Sequence, residues 1–422
     1  MGLALLLTYI ALNLLSPVDM LPGLAPYRPS LILALASLPL AMLVRLQSPE
    51  IGKLRTQLIL VILFFGYACG SWLPHGAYGA NVRTLLELAP NVIVYFVGMV
   101  LLRSPFRLGL MRATLVLVAI FVMANGFREI PYVRATGEST PYVLAVRDPI
   151  SKEAVRIQGL GMLHDPNVFG QYLLMILPML FVSKKGTGLS VGYMLAVPIT
   201  VLFLVGVYLT GSRGAEMGVA ALIGLFMTRR FKRTGALLSA AVGALLLVAI
   251  NATSSRTISM SGGKDRLALW SDGMSYLKHS PLWGIGFGNF QESQGMTAHN
   301  SYLLCAAELG MLGYFLWMSI VVVTMMQLGR VPKVVGASNP ALARWAVALR
   351  ISLGVYLFTG FFLSRTYELP LFLLIGMSGA IITAAGGDDA IPLRGTFWPV
   401  WSFGLCVGIL TLIYAMLRLR LV

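Results

Sequence analysis

Mostly apolar runs of about 17–25 residues recur along this 422-residue chain, and that is the length a helix needs to cross a hydrocarbon core. Lipid cannot satisfy an unpaired backbone amide, so a chain of this kind folds either as a helical bundle or as a closed barrel. Barrel strands alternate apolar and polar residues over about ten positions, and the chain carries no such alternation. Charged residues make up 11% of it, against about a quarter in a soluble domain. The expected fold class is therefore all-α: a polytopic transmembrane helical bundle of about 12–13 spans, forming a single integral membrane domain over 1–422.

The expected spans lie near 3–16, 30–46, 57–73, 85–102, 108–125, 167–183, 189–209, 214–228, 235–250, 301–327, 344–363, 368–385 and 397–417. Short loops that are rich in Lys and Arg stay in the cytoplasm. Alternating spans put Arg45, Lys53 and Arg55 on one side, together with Arg103 and Arg107, Lys184 and Lys185, the 229–233 cluster, and Arg330 and Lys333. The opposite side then holds two longer loops, about 126–166 and 251–300, and the tight turn Gly211–Gly214. In a bacterium this side is the periplasm or the cell exterior, and the membrane is the inner (cytoplasmic) one. Arg418 and Arg420 conflict with this scheme, since thirteen spans place them outside. Either one weak segment does not cross, or the last helix is an exception.

The net charge of +16 does not indicate nucleic acid, because the cations flank spans and form no basic domain. Cys69, Cys305 and Cys406 lie in apolar segments without metal-ligand spacing. Met1–Leu15 lacks a basic n-region and reads as a short first span, not a cleaved signal.

The polar features gather on the non-cytoplasmic side. His164-Asp165-Pro166-Asn167 opens one span, and the Asp-Pro pair also fits an ordinary helix cap. Thr210-Gly211-Ser212-Arg213-Gly214 is a turn in which glycine lets backbone approach a ligand and Arg213 offers a fork suited to phosphate. As a plain alternative, Arg213 is an interfacial anchor. Arg266 and Trp270 precede a Gly-rich run, Gly284-Ile-Gly-Phe-Gly288, that lacks the strand and the Lys-Ser/Thr of a nucleotide loop. It reads as a tight turn, with Trp283 and Phe287 at the membrane interface. His299, followed by Asn300, heads an apolar helix, where it is either a base or a residue making a local polar contact. Glu216 and Glu308 lie inside apolar helices, where a charge is expected to be paired, here with an arginine.

Three blocks resemble the bacterial O-antigen ligases and the related polysaccharide polymerases and O-oligosaccharyltransferases: GLGMLHDPNVFGQYLLMILP (159–178), LTGSRGAEMGVAALIG (209–224), and the 265–313 segment with Ala298-His299-Asn300-Ser301-Tyr302 and Glu308-Leu309-Gly310. The resemblance implies a membrane glycosyltransferase that moves a glycan from undecaprenyl diphosphate to an acceptor hydroxyl at the periplasmic face. The acceptor would be lipid A–core for a ligase, or a growing lipid-linked glycan for a polymerase. It implies His299 as the catalytic residue, Arg213 and Arg266 on the diphosphate, and a mechanism without metal or cofactor. Asp165, Asn167, Trp270 and Asn300 join the expected substrate-binding set.

Elementary chemistry supports the same roles. Diphosphate leaves readily only when positioned cations stabilise its developing charge. An acceptor hydroxyl needs a base, and a neighbouring cation such as Arg266 favours the neutral, competent imidazole. In-line attack opposite the diphosphate inverts the anomeric carbon. The competing readings are a transporter or flippase for lipid-linked sugars, which calls for inverted repeats, and a protein O-oligosaccharyltransferase.

Overall fold

The computed structural model describes residues 1–16, 23, 29–46, 53–76, 78–146, 154–182, 191–228 and 260–419. In chain order the helices are α1 (Gly2–Leu15), α2 (Pro29–Leu46), α3 (Arg55–Gly70), α4 (Tyr78–Leu101), α5 (Pro105–Thr136), α6 (Pro166–Leu180), α7 (Val191–Thr210) and α8 (213–228), then α9 (Met260–His279), α10 (Asn289–Gln294), α11 (Ser301–Val335), α12 (Pro340–Gly360), α13 (Leu369–Ala384), α14 (Gly387–Ala390) and α15 (Trp398–Leu419). Every expected span falls on a helix except 235–250, which lies outside the described residues, as do Lys184, Lys185, the 229–233 cluster and Arg420. Among the described residues, six helices are long and apolar enough to cross a membrane, and five shorter apolar helices accompany them. Large apolar side chains such as Ile62, Leu117, Val201 and Phe403 are more than half exposed. Lipid solvates that surface where water would not. The fold is a polytopic helical bundle.

The expected loops are more ordered than coil. Helix α5 runs past the expected end at 125 to Thr136, where Gly137 closes it in the left-handed conformation and donates to the Val133 carbonyl. A short antiparallel hairpin follows, β1 (Val143–Val146) paired with β2 (Ala154–Ile157). Much of 251–300 is helix α9, whose polar composition hides it from a hydropathy scan.

The chain divides into two compact units. The first comprises Met1–Leu40, Ser104–Thr257 and Ser338–Thr359. Within it, Ser104 and Asp165 cap α5 and α6 at Ser-Pro and Asp-Pro steps, where proline at the first helical position has no amide to satisfy. Arg112 lies over the Trp345 ring and donates to the carbonyls of Met179 and Val182 at the end of α6. Buried Gln171 donates to the Tyr356 carbonyl and the Thr359 hydroxyl, tying α6 to α12.

The second unit comprises Ala41–Arg103, Ile258–Ala337 and Gly360–Val422. Its tightest pair is α4 and α13. Gly376 allows this approach, because a Cβ there would stand 2.7 Å from the Tyr95 carbonyl oxygen. Asp388 closes one end of the unit. One carboxylate oxygen takes the Thr56 amide (2.8 Å) and hydroxyl (2.7 Å) at the head of α3, and the other takes the Gln327 amide at 2.7 Å. Arg330 donates to the Pro392 carbonyl at this end, so Lys53, Arg55 and Arg330 gather there. The other end carries α9, α10 and the head of α11. The last helix brings its C-terminal turn to that second end, where Tyr414 lies under both Lys278 of α9 and Arg418. Arg418 therefore lies at the end of the second unit that carries α9, away from the Asp388 end.

Asp388→Ala removes a helix cap and leaves Gln327 without its acceptor. It should cost about 1–2 kcal/mol, read as a melting temperature lowered by several degrees in detergent. An unchanged melting curve would show that this carboxylate closes nothing.

Candidate active site

The second unit builds its polar end around a break in α11. Gly310 stands at φ 64° and ψ −173° inside this helix, a region open essentially to glycine alone. The helical bonds that would consume the Ala307 and Glu308 carbonyls are interrupted, and the Gly-rich turn takes their place. Ile285 N donates to Ala307 O (3.0 Å), Gly286 N to Glu308 O (2.9 Å), and Met311 N returns a bond to Pro281 O (2.7 Å). Gly284, Gly286 and Gly288 all have positive φ. A side chain on Gly284 would collide with the Glu308 backbone, and one on Gly286 with the Trp72 ring. The tight turn read from the sequence is therefore present, but as a plug in a broken helix.

Its two aromatic residues part company. Trp283 is exposed and stacks on Tyr67 at 5.3 Å. Phe287 is 7% exposed and packs on Tyr367 at 4.6 Å. That corrects the expected interfacial position of Phe287, since the turn folds inward onto α3 through the Ser71 hydroxyl and the Trp72 indole.

Ahead of the break lies His299. Buried Trp270 donates its indole N–H to the Ala298 carbonyl at 3.0 Å and sets its ring edge-on to Phe361. On the other side Asn300, fully buried, caps α11 by accepting from the amides of Tyr302 and Leu303, each at 3.0 Å. The one residue between these two fixed points turns the corner at φ 49°, a left-handed conformation costing a non-glycine residue about 1–2 kcal/mol. Half-buried His299 is thus held in a conformation its own backbone disfavours. Strain of this kind concentrates at functional positions.

Arg266, also half-buried, sits one helical turn before Trp270. Residues four apart share a helix face, so Arg266 lies on the face of α9 that meets the 298–300 segment. Asn300 Nδ2 is buried without a hydrogen-bond partner. Two other histidines bond backbone carbonyls: His75 reaches Gly284 in the Gly-rich turn, and His279 bonds Ser275 one turn back. His164 ends a short 3-10 turn, Gly161–Leu163.

Two features escaped the sequence reading. Ser301 accepts from the Arg365 amide (2.8 Å), and the Thr366 hydroxyl donates to its carbonyl (2.7 Å). These bonds clip the loop after α12 onto the head of α11 and bring Arg365, ion-paired with Glu368 at 3.2 Å, into the neighbourhood. Glu308 does not hold an arginine. One of its oxygens accepts from the Phe290 amide at 3.3 Å, while Oε2 is buried without a partner.

The first unit has its own polar corner. Asp165 caps α6 through the Asn167 amide (2.7 Å) and also accepts from the Asn167 side chain (2.9 Å). Arg156 on β2, likewise missed from the sequence, bridges Asn167 Oδ1 (3.0 Å) and the Thr210 carbonyl (2.6 Å). It thereby ties the Asp165–Asn167 corner to the turn that carries Arg213. Gly211 takes φ 58° there, Ser212 caps α8, and Arg213 is exposed on its first turn. Gly170 lets α6 lie close beneath, since a Cβ on it would stand 2.7 Å from Ala215. The plain capping reading of Asp165 holds.

Residues 198–318 match the family model described as O-antigen ligase. The resemblance to the O-antigen ligases holds. The matched segment covers 121 of 422 residues and includes Arg213, Arg266, Trp270, His299, Asn300 and Glu308, while Asp165, Asn167 and Arg365 lie outside it. No curated protein matches the chain. Over 198–318, and in its set of apolar helices, the chain is thus similar to the membrane-embedded O-antigen ligases.

Gly310→Ala tests the break directly. A methyl group there would meet the Leu282 carbonyl, so the variant should lose at least ~2 kcal/mol of stability and give little folded protein. A variant as stable as the parent would mean that α11 is continuous.

Proposed function

We propose that this O-antigen ligase relative transfers a glycan from undecaprenyl diphosphate to an acceptor hydroxyl, with His299 as the general base. The observation that carries the proposal is the clamped, left-handed His299 at the head of α11, with Arg266 on the facing side of α9. In the proposed step the imidazole accepts the proton of the acceptor hydroxyl. The freed oxygen pair forms a bond to the anomeric carbon, and the bond from that carbon to the diphosphate oxygen breaks. The diphosphate leaves with the electron pair, and attack from the opposite face inverts the carbon.

Arg266 stabilises the leaving charge, as a preorganised cation does in a partly dry site. Arg213 enters as the second diphosphate arginine on the strength of the resemblance and its bidentate chemistry. Asn300 Nδ2 is the donor available to a substrate oxygen. Trp270 is a positioning residue: it acts on His299 through the Ala298 carbonyl. Asp165 and Asn167 act on Arg213 through the shape of its turn.

Orientation follows from charge. The end of the second unit that carries Lys53, Arg55 and Arg330 takes the cytoplasmic side by the positive-inside rule, and His299 then faces the periplasm of a bacterial inner membrane. The acceptor is lipid A–core for a ligase or another lipid-linked glycan for a polymerase.

Purified in detergent with a lipid-linked glycan and acceptor, His299→Ala should lose at least ~100-fold in transfer rate, in line with loss of a general base. Arg266→Ala and Arg213→Ala should each fall by a similar order, as expected on removal of transition-state charge stabilisation. Melting temperatures should stay near the parent's. Full turnover in the His299 variant would overturn the assignment. Trp270→Phe keeps an aromatic ring, smaller than the indole, and deletes the N–H. It should lower kcat about tenfold, since misplacement of a catalytic group costs rate, while leaving KM for the donor unchanged.

A further inference from the structure

Behind the break in α11, within the second unit, lies a cavity of about 290 Å³ to which the proposed chemistry gives no task. This is close to the small end of ligand cavities, which run from roughly 300 to 1,000 Å³. Its wall begins at Thr297, two residues before His299, and runs along α11 through Leu304 to Glu308. Its chemistry is unlike that of the arginine side. Among the described residues no Lys or Arg lines it, whereas Glu87, Glu308 and Glu368 do. Glu87 and Glu368 each pair with an arginine, Arg83 and Arg365, whereas Glu308 pairs with none.

The polar groups of the wall are unfinished. Glu308 is 2% exposed, yet its Oε2 makes no hydrogen bond. The Ser364 hydroxyl is likewise buried without a partner, and the Tyr367 hydroxyl is shared between the Glu308 and Cys305 side chains. Burial holds the Tyr367 hydroxyl well above the usual phenol range, so it remains a donor. Native interiors rarely leave such groups unsatisfied, and a cluster of them lining one cavity calls for an occupant. Asn91 donates to the Tyr367 carbonyl at 2.8 Å and presents the rest of its amide to the same space. Phe287, tilted against Tyr367, supplies an apolar face.

Carboxylate, hydroxyls, amide and an aromatic face together suit a neutral ring bearing hydroxyl groups. They repel a phosphate. We infer that this cavity is a saccharide subsite: it holds one sugar ring of the glycan substrate, with its hydroxyls on Glu308, Ser364 and Tyr367. The inference rests on the glycan-transfer reading and gives the His299 end of α11 a sugar-recognising wall. The ring belongs either to the lipid-linked donor or to the acceptor, which present the same chemistry.

The test uses the full-length protein in detergent micelles. Saturation-transfer NMR with free glucose, galactose, mannose and N-acetylglucosamine reports binding without turnover. At least one sugar should receive saturation from the parent protein and from His299→Ala. Ser364→Ala and Glu308→Gln should each bind it about tenfold more weakly, as expected for a lost hydrogen bond to a buried partner. Ser364→Ala removes only an oxygen, so it keeps the test open if Glu308→Gln fails to fold. In parallel, KM for the donor or for the acceptor should rise in these variants, and the one that rises identifies the source of the ring. Absence of saturation from all four sugars, undiminished binding in both variants, or unchanged KM for both substrates would overturn the subsite. Sugar binding by a protein that transfers no glycan would leave the subsite standing and overturn the transfer reading alone.

Discussion

The interruption of α11 at Gly310 is the constraint on which the polar end of the second unit depends. A continuous helix would consume its own carbonyls and leave the Gly-rich turn nothing to bind. The left-handed Gly310 frees the Ala307 and Glu308 carbonyls, and the amides of Ile285 and Gly286 take them. That exchange fixes the turn against α3, sets Phe287 and Glu308 around one cavity, and anchors the short stretch that leads through α10 to His299. Such bonds matter because a buried carbonyl left without a partner costs free energy.

In the proposed reaction the polar residues divide into those that would face a substrate and those that hold them in place. Trp270 and Asn300 have a single geometric effect between them: they hold Ala298 and the first turn of α11 so that His299 must bend the wrong way. Arg156 does comparable work in the first unit, joining the Asp165–Asn167 corner to the carbonyl just ahead of the Arg213 turn. A glycosyl transfer needs its base and its cations fixed before the substrate arrives, since reorganisation during the reaction costs rate.

Much of this was legible in the chain. The spans follow from hydropathy, the Asp165 and Asn300 caps from residue type before a helix, and the turn at 284–288 from its glycines. His299 stood out because imidazoles are scarce here and this one heads an apolar helix. The unread features all depend on pairing across long separations. Arg365 reaches the site through Ser301, 64 positions away, and no local pattern encodes that clip. Phe287 looked interfacial because an aromatic residue in a loop between spans usually is, and only the fold shows that its turn points inward. Glu308 invited an arginine by charge logic, but the amide of Phe290 is the partner within reach. Polar helix α9 was hidden for a plainer reason: hydropathy detects membrane helices and is silent about the rest.

The broken helix also sets how deep the imidazole lies. Past Gly310, residues 311–335 make a rod of 25 residues, about 38 Å long at 1.5 Å per residue, which alone exceeds a hydrocarbon thickness of about 30 Å. The nine residues Ser301–Leu309 are surplus to the crossing. They set His299 beyond the rod that suffices for a crossing, so the imidazole heads a part of α11 that the bilayer does not require.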